Sequence, residues 1–141
     1  MSIWAVPFTL EELNARGEGT MMVPLALCFS AFGDDWLAAT MPVGPNTLQP
    51  MGLLHGGASL ALAETVGSVA GSLSVDPREA VCVGQDINAN HVRAVRAGLV
   101  TGTARPLHRG RTSQVWGIDI TDEAGRLVCI ARLTLAVLRK T

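Results

Sequence analysis

The sequence predicts an α+β fold in which a mostly antiparallel sheet wraps around one long helix. Three observations predict it. The stretch QPMGLLHGGASLALAETVGSVAGSL, Gln49 to Leu73, carries a single charge, Glu64, among small and aliphatic residues, and a helix apolar on nearly every side is a buried helix. Two strand-like runs precede this stretch and about four follow it. Strands grouped on either side of one helix, instead of alternating with several, indicate an antiparallel α+β arrangement. The whole chain, residues 1–141, fits one domain with a sizeable core.

Taken in order, residues 1–8 read as a loose lead-in. Thr9 followed by Glu12 forms a capping box, with Leu10 and Leu13 on one face of a short helix. Gly17-Glu18-Gly19 breaks that helix. Met21 to Phe32 reads as extended, because Leu25, Leu27 and Phe29 alternate with smaller residues. Gly33-Asp34-Asp35 is a turn and Trp36 to Val43 a second strand, together a hairpin. The loop Gly44–Pro50 delivers the chain to the central helix, which at about 1.5 Å per residue is roughly 27 Å long. Ser74–Glu79, with Asp76-Pro77, ends it.

Four further strands are expected over Ala80–Asn88, Leu99–Leu107, Ser113–Thr121 and Leu127–Leu138. The last alternates cleanly at Leu127, Cys129, Ala131, Leu133, Leu135 and Val137, and Asp122-Glu123-Ala124-Gly125 is its hairpin turn. Asn88–Gly98 reads as irregular and carries His91, Arg93 and Arg96. One curled sheet covers only part of a helix and leaves its edges open. A dimer that joins two sheets edge to edge is therefore expected.

Composition narrows the function. Hydrophobic residues make up 48% of the chain, a globular and not a disordered composition. With 11 basic against 12 acidic residues and no basic run, nothing points to nucleic acid. The start MSIWAVPFTLEELN lacks the basic opening and apolar core of a signal peptide. Glu64 and the Gly/Ser content of the apolar stretch argue against a membrane span, so the expectation is a soluble, cytoplasmic protein. Cys28, Cys82 and Cys129 lie in apolar or strand-like sequence with no CxxC. They read as reduced thiols and not as a disulfide or a metal site.

Glu64 is the first candidate for chemistry. Burying an unpaired carboxylate is costly, so either an Arg from a neighbouring strand pairs with it or function requires it. Gly57, Leu60 and Ser68 fall on its helix face, and no Lys or Arg lies within the helix. His55-Gly56-Gly57 stands where the helix should begin. The first-turn N–H groups there lack intrahelical acceptors and, with the helix dipole, favour negative charge. Aimed at a thioester or ester carbonyl they would stabilise a developing oxyanion. A Gly-rich turn that only tightens the start of the helix is the plainer alternative. Gln49, just upstream, is a neutral amide able to hold a water or a carbonyl, or an ordinary loop side chain. His91, Arg93, His108, Arg109 and Arg111 lie in two loop-like stretches, ANHVRAVR and PLHRGR. Arg suits phosphate because its planar fork binds two oxygens; solvated surface charge is the alternative.

Taken together, QPMGLLHGGASLALAETVGSVAG, INANHVR, PLHRGR with QVW downstream, and GRLVCIARLTLAVL resemble the hot-dog-fold acyl-CoA thioesterases. The closest branch holds the Glu-type 4-hydroxybenzoyl-CoA thioesterase, the 1,4-dihydroxy-2-naphthoyl-CoA hydrolases and the enterobactin-pathway proofreading thioesterases. The resemblance covers about Leu48 to Leu138. It implies a thioester hydrolase acting on an aromatic acyl-CoA of hydroxybenzoyl or dihydroxynaphthoyl type, as a homodimer or a homotetramer built from two dimers, with sites shared between chains. It implies Glu64 as nucleophile or general base, the Gly56 N–H on the thioester carbonyl, His55 placing the thioester, Gln49 orienting substrate or water, and Ser68 near the acyl group. Gly84, His91, Val92 and Arg93, together with His108, Arg109, Gly110, Arg111, Thr112 and Ser113, would hold the CoA arm. No cofactor and no metal is implied, CoA being part of the substrate. The thiolate leaves readily, so the chemistry needs a nucleophile or base and a clamp on the carbonyl, not a strong acid.

The chain departs from the family at Met51, often aromatic and next to the implied acyl pocket, and at Gln85-Asp86, often Leu-Glu. Two other readings stay open: hydrolysis of misloaded acyl carrier protein, and a non-catalytic acyl-CoA binding module, which would not need Glu64. A hydratase of the same fold is disfavoured because no Asp-His pair has the required spacing.

Overall fold

A computed structural model describes all of residues 1–141. In chain order its elements are α1 (Leu10–Ala15), α2 (Met22–Leu25), β1 (Cys28–Phe32), β2 (Leu37–Val43), α3 (Gly56–Leu73), β3 (Ala80–His91), β4 (Gly98–Arg109), β5 (Ser113–Thr121) and β6 (Leu127–Arg139). The strands form one antiparallel sheet in the order β1-β2-β4-β5-β6-β3. After α3 the chain crosses to the far edge, so β3 pairs with β6 alone and its outer backbone is unpaired. No helix is long and apolar enough to cross a membrane.

The long helix is the expected one, and its composition has a packing reason. Leu62, Val66, Ala70 and Leu73 face the sheet and are buried. Gly67 and Gly71 bring the helix down onto β5 and β6: a Cβ at Gly67 would lie 2.8 Å from a Leu133 methyl. The small residues thus admit the sheet's own leucines, which buries apolar surface that is worth about 25 cal/mol per Å². At the end of α3, Trp116 Nε1 donates to Gln114 Oε1 at 2.8 Å and Gln114 Nε2 to Ser74 Oγ at 3.0 Å. These buried polar groups satisfy one another, as burial requires. The opposite stripe of α3, with Gly57, Leu60, Glu64, Ser68 and Ser72, is not buried. One sheet covers one side of the helix.

Four expectations need correction. Met21–Phe32 is not one extended run, because α2 turns within it and ends at Ala26 with φ 51°. The strand begins only where Asn14 clamps it, accepting from the Phe29 N–H at 2.7 Å and donating to the Phe29 carbonyl at 3.0 Å. The lead-in is not loose: the Ile3 N–H donates to the Asp34 carbonyl at 2.9 Å and the Ala5 N–H to the Leu73 carbonyl at 2.8 Å. Trp4 and Phe8 pack edge to face there. Asn88–Gly98 is irregular only after His91, since β6 is long enough to pair β3 through that residue. Likewise His108 and Arg109 belong to β4 and not to a loop. The capping box on α1 and the hairpin turn after β5 are as expected.

Candidate active site

The loop before α3 is tied down before the helix begins. The His55 N–H donates to the Thr47 carbonyl at 2.7 Å, and the Leu54 N–H to the Val95 carbonyl at 2.7 Å. His55 then caps the helix: its Nδ1 accepts from the Gly57 N–H at 2.7 Å. An accepting Nδ1 is unprotonated, so Nε2 carries the ring hydrogen. The Gly57 N–H is thereby occupied, whereas the Gly56 N–H has no acceptor within the chain. His91, at the end of β3, lies directly against Gly56; a Cβ there would be 2.8 Å from His91 Nε2. Only glycine lets the imidazole approach the free amide so closely.

Around this amide is a cleft of about 420 Å³ lined by Gln49, Gly56, Ser59, His91, Val92 and Arg93, among others. The Gln49 side-chain oxygen accepts from the Met51 N–H, which leaves its amide nitrogen free. The Val92 and Arg93 N–H groups both donate to the Val128 carbonyl, at 2.8 and 3.2 Å, and fix the wall of the cleft. Sequence reasoning missed Ser59, which is buried one turn after His55; helical spacing from His55 is the signal that finds it. Met51 is 74% exposed and lies outside this cleft.

Glu64 is half-buried on the uncovered stripe of α3. None of the ion pairs in the structure includes it, so the salt-bridge alternative does not hold. Its Oε2 is buried and has no hydrogen-bond partner. The carboxylate rests over Gly84, where a Cβ would stand 3.4 Å from Glu64 Oε1. Gly84 adjoins the one irregularity in the β3–β6 ladder.

The structure does not bring all the candidates together in one chain. Gly56 and Glu64 are eight residues apart on one helix, about 12 Å of rise, and Glu64 does not line the Gly56 cleft. Gly110–Thr112 forms the β4–β5 turn, between His108 and Arg109 at the end of β4 and Ser113 at the start of β5, and the Gly110 N–H closes it on the Ser113 carbonyl at 2.8 Å. Thr112 accepts from the Val137 N–H at 2.9 Å. Arg109 Nη2 reaches the Ser74 carbonyl at 3.2 Å, at the opposite end of α3 from His91. Ser68 opens on a separate cavity beside the helix. Nowhere do three His, Cys, Asp or Glu side chains converge as a metal ion would require.

Comparison with known proteins bears on this geometry. The Thioesterase superfamily model matches residues 51–129. The chain is 57% identical to the 1,4-dihydroxy-2-naphthoyl-CoA hydrolase of Escherichia coli, over 96% of this chain and 99% of that protein. It is 54% identical to the proofreading thioesterase EntH of Cronobacter sakazakii, over 96% of this chain and 98% of that one. Among solved structures, a thioesterase from Haemophilus influenzae superposes with a TM-score of 0.94 at 52% identity, covering 97% of this chain and 95% of that chain. The sheet and α3 are thus the hot-dog arrangement.

Proposed function

The chain belongs to the thioesterase superfamily and is a thioester hydrolase, and from that premise we propose that it cleaves aromatic acyl-CoA thioesters with Glu64 as the catalytic carboxylate. One observation carries this reading: Glu64 Oε2 is buried with no partner. An unsatisfied buried carboxylate oxygen costs stability, and an attacking oxygen or a base for water is a use that justifies it. The carboxylate either adds to the thioester carbon, expelling CoA thiolate and leaving an anhydride that water opens, or removes a proton from the water that adds. In both routes the Gly56 N–H receives the charge that develops on the carbonyl oxygen. His91 and Arg93 hold the CoA arm at the mouth of the cleft.

Gly56 and Glu64 of a single chain are too far apart to act on one carbonyl. The unpaired β3 edge supplies the remedy. β3 runs antiparallel to α3, with His91 beside Gly56 and Gly84 beside Glu64. Twofold pairing of two β3 edges lays two α3 helices side by side in opposite directions, so the Gly56 end of one approaches the Glu64 stripe of the other. Exposed Val81 and Val83 on β3 suit such a junction. The Arg109–Arg111 turn reaches the CoA arm by the same route, from the second chain.

Purified protein is assayed against benzoyl-, dihydroxynaphthoyl-, phenylacetyl- and fatty acyl-CoA, with Glu64→Gln beside it. An aromatic preference and a fall in kcat of about 10²–10⁴-fold in the variant are expected; unchanged turnover removes Glu64 from the reaction. The identity to EntH favours one second reading, hydrolysis of aryl groups carried on an acyl carrier protein. A higher kcat/KM for the carrier-bound form of one acyl group selects it over the CoA form.

A further inference from the structure

The second cavity on α3 has no role given above beyond the acyl contact implied for Ser68. It holds about 330 Å³ and lies against the uncovered side of the helix, lined by Val6, Arg16, Ser68, Val69, Ser72 and Leu73 among others. Its floor is the helix one to two turns beyond Glu64. Its walls are fixed by backbone bonds. The Ala5 N–H on the Leu73 carbonyl at 2.8 Å sets Val6. The capping box at Thr9 and the Asn14–Phe29 clamp hold α1, whose C-cap is Arg16. Among largely apolar and hydroxyl groups, Arg16 is the single charge lining it. Its guanidinium enters none of the ion pairs in the structure.

An exposed guanidinium that pairs with no carboxylate, lining a cavity floored by two serines, can hold an anionic oxygen pair. We infer that this cavity takes the far end of the acyl group, and that Arg16 selects acyl groups ending in a carboxylate, that is, mono-CoA thioesters of aromatic dicarboxylic acids. The inference rests on the reading of Glu64 as the reacting carboxylate. With the thioester carbon at Glu64, an aryl ring spans about one helical turn, 5.4 Å. That brings a substituent opposite the thioester level with Ser68, one turn short of Ser72, in the cavity that Arg16 also lines. Val69 covers the ring, and Ser68 and Ser72 offer hydroxyl donors to the carboxylate oxygens that Arg16 leaves free.

The test compares kcat/KM for 4-carboxybenzoyl-CoA and benzoyl-CoA in wild type, Arg16→Leu and Arg16→Lys. Arg16 is an exposed side chain at a helix end, so both variants keep the fold. The ratio of the two constants is expected to fall by about tenfold or more in Arg16→Leu and to recover in part in Arg16→Lys. The loss is expected in KM and not in kcat, because Arg16 touches no reacting atom. A ratio unchanged in Arg16→Leu overturns the inference, as does a wild type that cleaves benzoyl-CoA but rejects the carboxylated substrate. Failure of the Glu64 reading gives a different result: Glu64→Gln then retains turnover on both substrates, whatever the ratio.

Discussion

The Glu64 carboxylate lies on the open face of Gly84, with the position of a Gly84 Cβ 3.4 Å from Glu64 Oε1. That distance is ordinary van der Waals contact, so alanine fits without moving the backbone, whereas a branched side chain displaces the carboxylate. Gly84→Ala is expected to fold normally with a small loss in kcat. Gly84→Val is expected to lower kcat by about 10²-fold, the cost of misplacing a reacting group by about 1 Å. Steady-state kinetics with circular dichroism as a fold check decides it; full activity in Gly84→Val means that Glu64 does not need its present position.

Gly56 and His91 form a second coupled pair. A methyl at Gly56 would sit 2.8 Å from His91 Nε2, and the imidazole must swing away from the cleft. Gly56→Ala and His91→Ala are each expected to raise KM for acyl-CoA. The double variant is expected to be no worse than His91→Ala alone, because the clash has gone. A double-mutant cycle in kcat/KM measures the coupling, and additive losses would show that the two residues act separately.

Oligomerisation through β3 is tested by charge on its edge. Val83, 44% exposed on an edge strand, becomes Val83→Lys. Light scattering is expected to show a shift toward monomer, with loss of thioester hydrolysis in parallel, since lysine on an edge blocks strand pairing. A monomer that keeps its turnover contradicts a site shared by two chains.

Arg109 has a structural duty whatever its contact with CoA. Its Nη2 donates to the Ser74 carbonyl at 3.2 Å and to the Ile3 carbonyl at 3.4 Å, joining the end of α3 to the lead-in. A cation at a helix C-terminus is favourable. Arg109→Met is expected to lose about 1 kcal/mol, or roughly 3 °C in Tm. Differential scanning calorimetry measures it, and an unaltered Tm leaves Arg109 free for ligand alone.

Thiol reactivity follows burial. Burial pushes the Cys82 and Cys129 thiols above their ordinary value of 9.0, whereas Cys28 is exposed. A folded pKa above the unfolded one means that the stability from keeping these thiols neutral is fully present below about pH 9 and is lost as pH rises toward the folded value. One fast-reacting thiol, Cys28, is expected at neutral pH, and Tm is expected to decline above about pH 9. Three thiols modified at one rate would contradict the burial.

Much of this protein was legible before any coordinates. The Thr9–Glu12 box, the length of α3, the alternation along β6 and the oddity of Glu64 are local matters. Helical and strand periods, and the cost of burying a charge, act within a few residues, so the sequence by itself determined them. The lead-in was not legible, because its order comes from partners at Asp34 and Leu73 that lie far along the chain. Nor was α2, since apolar Met22–Leu25 suits a strand or a turn of helix equally until Asn14 fixes where β1 begins.

The site divides the same way. Which residues are special could be read from their types and spacing: a carboxylate in an apolar helix, glycines at its start, histidine and arginine after a strand. Which of them meet could not. A helix fixes Gly56 and Glu64 about 12 Å apart along its axis, and only the tertiary structure showed that Glu64 Oε2 has no partner, that His91 covers Gly56, and that Arg109 stands at the other end. Contacts of that kind depend on the path of the sheet around the helix, and strand order is set by packing over the whole chain.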